Sequence, residues 1–157
     1  MRRPWNIIDS SVYSLATYAT DGQVNMNICT YVMAISRQPK LYAVGIEHGS
    51  QTLDLWKAND MAVLQILSTE QTHLIRPLGK RSGRDYDKMA YLQKKNALTD
   101  WHKHSVLKDA AAYVLLQTQS ITTTGDHDLF ICKALKYKTL SEEVLRFSDL
   151  IHQKIIL

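Results

Sequence analysis

The chain has 157 residues, of which 45% are hydrophobic and 22% charged, and its formal net charge is +4. This balance excludes a largely disordered chain, and the length suits one domain with a core of ordinary size. No apolar run is long enough to cross a bilayer, and Met1-Arg2-Arg3 leads into Pro4-Trp5-Asn6 instead of the apolar core of a signal peptide. We therefore expect a single cytoplasmic domain over residues 1–157, without a membrane partner.

The mild positive charge suits an anionic ligand and is also compatible with nucleic acid. The lysines are not interleaved with aromatic residues as in a recognised RNA-binding motif, so we expect no nucleic-acid partner. Cys29 and Cys132 lie in strand-like apolar segments without CxxC spacing. This placement favours buried free thiols over a disulfide or a zinc site, and we expect no bound metal.

The first half of the chain predicts four strands and one helix. Thr20-Asp21-Gly22-Gln23 is typical of a hairpin turn, and Ser50 can cap a helix that carries Leu53 and Trp56 at helical spacing. The predicted strands cover residues 12–20, 24–35, 41–46 and 61–67, and the predicted helix covers residues 50–58.

The second half predicts two helices, a loop and a second hairpin. Ser68 or Thr69 can cap a helix over residues 70–78 that Gly79 closes, and the polar residues 80–88 have no periodicity and predict a loop. Strands are predicted at 111–124 and 129–137, around the turn Gly125-Asp126-His127-Asp128, and an amphipathic helix is predicted at 141–156. This order is no alternating βαβ series, so it indicates a mainly antiparallel β-barrel with helices.

On these motifs the chain resembles the flavin reductase-like family, whose fold is the FMN-binding split barrel. The resemblance covers nearly the whole length. It rests on the order and spacing of the Asp21-Gly22 hairpin followed by Asn25, Ser36-Arg37-Gln38-Pro39, Ser50-Gln51-Thr52, Gln65-Ile66-Leu67-Ser68, the 80–88 loop and Gly125-Asp126-His127.

The resemblance implies that the second strand and the following loop line the flavin, with Asn27, Cys29, Thr30 and Tyr31 as candidate contacts. A strand backbone offers N–H and C=O groups to the donor and acceptor edge of an isoalloxazine ring, and small side chains let the ring approach. Taken without the resemblance, Cys29 and Thr30 are better explained as packing residues of the barrel wall.

The turn at residues 48–52 opens a helix, so its free N–H groups and hydroxyls form a candidate phosphate cradle. The resemblance places the FMN phosphate here, with Ser50 and Thr52 as ligands. The alternative is an N-cap without a ligand, which explains Ser50 but not Thr52.

The 80–88 loop is similar to the family segment that shields the flavin. Arg84 and Lys88 are the candidates there for pairing with the phosphate of the flavin or of a nicotinamide cofactor. The alternative is a solvated loop of mixed charge.

The turn at residues 125–127 is similar to the family turn in which a histidine lies near the flavin. We predict that His127 positions the nicotinamide, because hydride transfer itself needs no protein acid or base. His102 and His104 are expected to be surface residues.

These features predict a homodimeric flavin reductase that binds FMN, or alternatively FAD, and transfers hydride to flavin from NAD(P)H as cosubstrate. A flavin-dependent oxygenase is a candidate recipient of the reduced flavin. The alternatives are an FMN-dependent oxidoreductase with another substrate, a non-catalytic flavin- or haem-binding split barrel, and a small basic barrel that binds single-stranded nucleic acid.

Overall fold

The sequence forms nine strands and five short helices in a computed structural model that describes residues 1–156. The strands are β1 Tyr13–Tyr18, β2 Val24–Met26, β3 Val32–Arg37, β4 Lys40–Glu47, β5 Met61–Ile66, β6 Leu98–Trp101, β7 His104–Leu107, β8 Ala112–Thr123 and β9 His127–Thr139. The helices are α1 Pro4–Ile7, α2 Gln51–Ala58, α3 Ile75–Gly79, α4 Lys88–Lys94 and α5 Phe147–His152, and a 3-10 helix at Thr69–Leu74 precedes α3. None of the described helices is long and apolar enough to span a membrane.

Seven strands form one antiparallel sheet in the order β2-β1-β5-β8-β9-β4-β3, and β6 pairs only with β7. The two edge strands, β2 and β3, are consecutive in the chain, and residues 27–31 pass from one edge to the other. This connecting segment makes a single bridge to β1, between Cys29 and Tyr13, and accepts a hydrogen bond from Gly45 of β4 at the carbonyl of Tyr31, at 2.8 Å. Residues 27–31, called the seam below, therefore join the two edges of the sheet.

The interior of the barrel is filled by one face of the alternating strands. Leu15, Val44, Leu64 and Phe130 point inward, and α2 closes this interior with Trp56. The rings of Trp56 and Phe130 stack with centroids 4.0 Å apart and an interplanar angle of 0°. The inward face thus holds α2, and with it the turn that precedes α2, against the sheet.

A second apolar cluster covers the other face of β1, β5 and β8. Val63 and Leu115 of the sheet pack there against Leu78 and Leu92 of the helices and Trp101 of β6.

The predicted third and fourth strands, the helix after Ser50 and the second hairpin are confirmed by β4, β5, α2 and the β8–β9 hairpin to within a few residues.

The single strand predicted over residues 24–35 is wrong. The structure splits it into β2 and β3, because the backbone of residues 27–31 bonds to β1 at Asn27 and Cys29 and then to β4 at Tyr31, instead of following one neighbour. An unbroken apolar and β-branched pattern carries no information on which neighbour a strand pairs with.

The long terminal helix predicted over residues 141–156 is also wrong in its first half, since α5 begins only at Phe147. Residues 143–146 are extended: the N–H of Leu145 donates to the carbonyl of Leu67, and the carbonyl of Leu145 accepts from Val12. Burial of Leu145 and backbone pairing with two other segments therefore override the local helical pattern.

The helix predicted over residues 70–78 exists, but as the 3-10 helix followed by α3, and the N–H of Ser68 donates to Gln71 Oε1 at 3.0 Å. The predicted loop ends at Asp87, whose Oδ1 accepts the N–H of Ala90 at 2.8 Å as the cap of α4. The α4 helix and the β6–β7 hairpin fill residues 88–107, for which the sequence pattern predicts no element beyond Lys88.

Candidate functional site

A cavity of about 600 Å³ opens where the seam meets the turn between β4 and α2. The remaining walls are the end of α3 with the first residues of the 80–87 loop, and the start of β9. Eight of the nine site residues predicted from the sequence line this cavity: Asn27, Cys29, Thr30, Tyr31, Ser50, Thr52, Lys88 and His127. The ninth, Arg84, lies outside it.

The seam presents unpaired backbone groups to the cavity. Within residues 1–156, the backbone N–H groups of Ile28, Thr30 and Tyr31 donate to no protein acceptor, because the segment lies between the two sheet edges. A backbone N–H group of a folded protein that has no protein acceptor is paired with water or with a ligand. These donors therefore fit a ligand that carries acceptors along one edge.

The side chains of the seam are partly committed to the fold. Asn27 Oδ1 accepts the N–H of Leu15 at 2.9 Å, which fixes the amide to β1. Burial raises the pKa of Cys29 to about 12, so its thiol stays neutral and non-nucleophilic near pH 7. The chemistry offered by Cys29 is consequently that of a small packing residue.

The turn before α2 carries the candidate phosphate cradle. Ser50 caps the helix, because its Oγ accepts the N–H of Leu53 at 3.2 Å and donates to the carbonyl of Glu47 at 2.9 Å. The N–H groups of Gln51 and Thr52 belong to the first turn and have no partner within the helix. Two free N–H groups at the positive end of a helix dipole are the groups with which proteins bind anions at helix N-termini.

Thr52 is buried with only 3% of its surface exposed, and its Oγ1 accepts a hydrogen bond from Asn25 Nδ2 at 2.9 Å. A structural role as the partner of Asn25 therefore accounts for Thr52, beside any contact with a ligand. Asn25 itself lines the cavity from β2.

The loop after α3 lies against the side chains of Gln51 and Asn25. A Cβ at Gly83 would overlap with Gln51 Oε1 and with Asn25 Oδ1, so the loop backbone touches the floor of the cavity. Gln51 Oε1 is buried without a hydrogen-bond partner among the described residues. Lys80 and Arg81 of the same loop line the cavity, and the guanidinium of Arg81 lies over the Tyr86 ring, 4.4 Å from its centroid.

Arg84 forms an exposed ion pair with Asp54 of α2. It lines a separate cavity of about 450 Å³ on the other side of Gly83. The geometry thus fastens the loop to α2 through Arg84 and leaves its guanidinium outside the candidate phosphate site.

Lys88 is buried, and its Nζ donates to the carbonyls of Leu78 at 2.7 Å and Met26 at 3.1 Å. Desolvation lowers the pKa of Lys88 to about 8. Lys88 lines the cavity and joins the end of β2 to α3. Its side chain therefore stabilises the wall of the site and is also placed to contact a ligand.

His127 lies at the mouth of the cavity. Its ring is tilted by 48° against the ring of Tyr31, with centroids 5.0 Å apart, and its Nδ1 is 2.6 Å from Asp126 Oδ1. Asp126 therefore orients the imidazole, and the hydrogen bond from His127 lowers the pKa of Asp126. The Tyr31 and His127 rings form the boundary with a second cavity of about 440 Å³ that is lined mainly by apolar side chains.

The buried carboxylate of Asp128 holds the turn before α2 in place, and this contact is called the brace below. Asp128 of β9 accepts from Lys57 Nζ at 2.5 Å and from His48 Nε2 at 2.8 Å, and only 3% of its side chain is exposed. The hydrogen bond from Lys57, followed by that from His48, lowers the pKa of Asp128 to about 2. His48 lies before α2 and Lys57 lies in its last turn. Asp128 of the sheet therefore holds both the turn and the end of the helix.

This brace predicts a loss of stability in acid. In the unfolded chain Asp128 takes up a proton near pH 4, its ordinary value, whereas the folded protein keeps the carboxylate ionised down to about pH 2. The stability due to Asp128 is therefore present above pH 4 and lost as the pH falls from 4 to 2. Thermal unfolding between pH 5 and pH 2 is expected to show a smaller fall in Tm for Asp128→Asn than for the parent protein. Equal slopes for the two proteins would contradict this account.

The family is decided by comparison with known sequences. A family model described as the flavin reductase like domain matches residues 5–153. The chain belongs to the flavin reductase-like family. No curated protein matches this family member.

Solved structures show the same fold for this flavin reductase-like chain. An FMN-binding protein from Thermus thermophilus with bound 1-cyclohex-2-enone is 22% identical, with a TM-score of 0.75 over 88% of this chain and 75% of that one. The styrene monooxygenase flavin reductase from Pseudomonas putida S12 is 19% identical, with a TM-score of 0.72 over 86% and 82%. Flavoredoxin from Methanosarcina acetivorans is 13% identical, with a TM-score of 0.76 over 92% and 77%. These similarities confirm the predicted split barrel, a mainly antiparallel sheet with helices.

Several residues that line the cavity of this flavin reductase-like protein are not predicted as site residues from the sequence. They include His48 in the turn before α2, Gln51 at the first position of α2 and Arg81 in the loop after α3. The close approach of Gly83 to Gln51 joins segments that are distant in the sequence, so only the structure reveals it. A signal was available for His48, which stands in the turn already identified as a candidate phosphate cradle.

Proposed function

We propose that this flavin reductase-like protein binds FMN in the cavity at the seam and reduces flavin with hydride from NADH or NADPH. The observation that carries the proposal is the meeting, in one cavity, of unpaired seam N–H groups, a helix N-terminus and the Lys80–Arg81 pair. FAD is the alternative flavin, since the same groups bind the part that the two flavins share.

The donors of the cavity suit the two polar ends of FMN. The N–H groups of Ile28, Thr30 and Tyr31 match the acceptors of a flavin pyrimidine edge, and the first turn of α2 with Lys80 and Arg81 matches a phosphate. Gly45 contributes space, because a Cβ there would lie 3.3 Å from the Cβ of Tyr31. When bound, a flavin supplies the hydride acceptor; the chain's own residues bind, orient and shield it.

The residues have separate roles in this proposal. Asn27, Cys29 and Thr30 shape the ring end of the site, and Ser50 holds the phosphate turn through its cap. His127, oriented by Asp126, stands at the mouth where a nicotinamide would enter, and we assign it a positioning role.

Thr52 and Lys88 support the walls on which the ligand rests. Arg84 keeps the 80–87 loop on α2 through its ion pair with Asp54, so we now propose an indirect part for it in flavin binding.

A second candidate function is an FMN-dependent oxidoreductase whose substrate is a small cyclic or aromatic carbonyl compound. The apolar cavity beyond Tyr31 and His127, lined by Val32, Met33 and Leu129, favours it. The Thermus thermophilus FMN-binding protein with bound 1-cyclohex-2-enone also supports it by analogy of fold.

The test is an absorbance titration of the purified protein with FMN, followed under anaerobic conditions by NADH and NADPH in turn. The proposal predicts a shifted flavin band on binding, and then bleaching at a rate that depends on protein concentration. His127→Ala is expected to slow bleaching about tenfold or more through a higher KM for the nicotinamide, with FMN affinity changed less than about threefold. The matched control is His104→Ala, on the β6–β7 hairpin.

The outcomes separate the candidates. A band shift without bleaching by either nicotinamide contradicts the reductase and leaves a flavin binder, whose flavin is then reduced with dithionite and tested for reoxidation by 2-cyclohexen-1-one. The absence of any shift contradicts flavin binding altogether.

The partners belong to the same proposal. Exposed apolar side chains on β3, β8 and β9, among them Met33, Ile121 and Tyr137, offer a surface for a second copy of the chain. Sedimentation of the purified protein is expected to give twice the chain mass. The likeness to a reductase named for styrene monooxygenase supports a flavin-dependent oxygenase as the recipient of reduced flavin. The cytoplasmic location stays a prediction.

A further inference from the structure

His48 stands at the phosphate end of the cavity and has one free ring nitrogen. It lies between β4 and the first turn of α2, lines the cavity, and keeps 41% of its side chain exposed. Its backbone N–H donates to the carbonyl of Asp126 at 2.9 Å, so the residue is fixed at its backbone as well as at its ring. Nε2 is bound by Asp128, and Nδ1 has no partner among the described residues.

Asp128 determines which ring nitrogen carries a proton. The carboxylate is ionised above about pH 2 and can only accept, so His48 Nε2 must be the donor of their 2.8 Å hydrogen bond. In the neutral ring Nδ1 is then a lone-pair acceptor, which repels a phosphate oxygen. In the protonated ring Nδ1 is a cationic donor, which binds one.

We propose that His48 is a ligand of the flavin phosphate and that Asp128 is the residue that positions it. This inference rests on the proposed function and names a specificity residue within that site. The other charged groups around His48 are Glu47 on its own strand, Asp126 and His127 at the start of β9, Lys57 behind Asp128, and Lys80, Arg81 and Lys88 across the cavity.

The test compares FMN with riboflavin, which has the same ring system and ribityl chain but no phosphate. Dissociation constants for both are measured by fluorescence quenching at pH 5.5 and pH 8. For His48→Gln we expect about a tenfold weaker FMN affinity at pH 5.5, with riboflavin affinity unchanged within about twofold. Asp128→Asn is expected to weaken FMN binding in the same selective way.

The pH dependence gives a second readout. In the parent protein the preference for FMN over riboflavin is expected to be larger at pH 5.5 than at pH 8, because an imidazolium donates from both ring nitrogens and a neutral imidazole from only one. The phosphate gains charge over the same range, with a second ionisation near pH 6, which acts in the opposite direction. His48→Gln retains only this second effect, so its preference for FMN is expected not to fall as the pH rises.

Lys57→Met is the matched control. It removes the other partner of Asp128 without changing a residue that lines the cavity, and both affinities are expected to stay within about twofold of the parent. A loss of FMN affinity as large as that of His48→Gln would show that the brace, not the imidazole, is what matters, and would overturn the inference. Equal losses for FMN and riboflavin in His48→Gln would overturn it too. Failure of the parent protein to bind either flavin would instead contradict the proposed function.

Discussion

Trp56→Ala is expected to lower the free energy of unfolding by about 3–5 kcal/mol, the range for removing a large buried side chain. Trp56 is 1% exposed and stacks on Phe130 inside the barrel. Because domains of this size are stable by about 5–15 kcal/mol, this loss is between about a fifth and all of the total stability. Urea unfolding followed by circular dichroism measures the change.

Two further substitutions make this prediction specific. Trp5→Ala changes a tryptophan that is 66% exposed, and its effect is expected to stay within about 0.5 kcal/mol. Trp56→Phe keeps an aromatic ring on Phe130 and removes an indole N–H that has no acceptor among the described residues, so its loss should be less than half that of alanine. A Trp56→Ala variant as stable as the parent would refute the assigned role of α2 in closing the barrel.

Gly83→Ala is expected to weaken FMN binding about tenfold or more while leaving the unfolding free energy within about 0.5 kcal/mol of the parent. The added methyl group would overlap with Gln51 Oε1 and Asn25 Oδ1. Asn25 is buried and bonded to Thr52, so the loop must rise from the floor of the cavity and carry Lys80 and Arg81 with it. Flavin titration and urea unfolding of the same preparations separate the two effects.

The control for this substitution is Gly125→Ala. Gly125 lies in the β8–β9 turn with no heavy atom within 4 Å of an added Cβ, so its variant should bind FMN like the parent. If Gly83→Ala binds FMN with unchanged affinity, the loop is free to move away from α2 and is no part of the site.

The sequence predicts the barrel because its strands are short apolar runs bounded by turn residues, as in residues 61–66 and 112–117, which are almost continuously apolar because they are buried on both faces. It also predicts the cap of α2, since Ser50 acts on a residue only three positions away. These features depend on neighbours in the chain, and such neighbours are visible in a sequence.

The errors arise where distant segments compete for the same backbone groups. Leu145 pairs with Val12 and Leu67 instead of joining a helix, and Cys29 bridges to Tyr13 at the split in the predicted strand. The features of the cavity also divide into those that local sequence predicts and those that depend on distant contacts. Eight of the predicted residues line the cavity. Lys88 is also hydrogen-bonded to Met26 and Leu78, and Thr52 to Asn25. These bonds join remote parts of the chain, so local sequence does not predict them.

The seam has a consequence for how this scaffold can diverge. Residues 27–31 carry few of the sheet's hydrogen bonds, so their side chains can be exchanged without removing a ladder from the barrel. The side chains of Thr30 and Tyr31 form no hydrogen bond within residues 1–156 and are therefore open to substitution that alters what the cavity accepts, whereas the amide of Asn27 is bonded to Leu15. New ligand preferences in descendants of this protein should arise first at Thr30 and Tyr31, with the strands around them left unchanged.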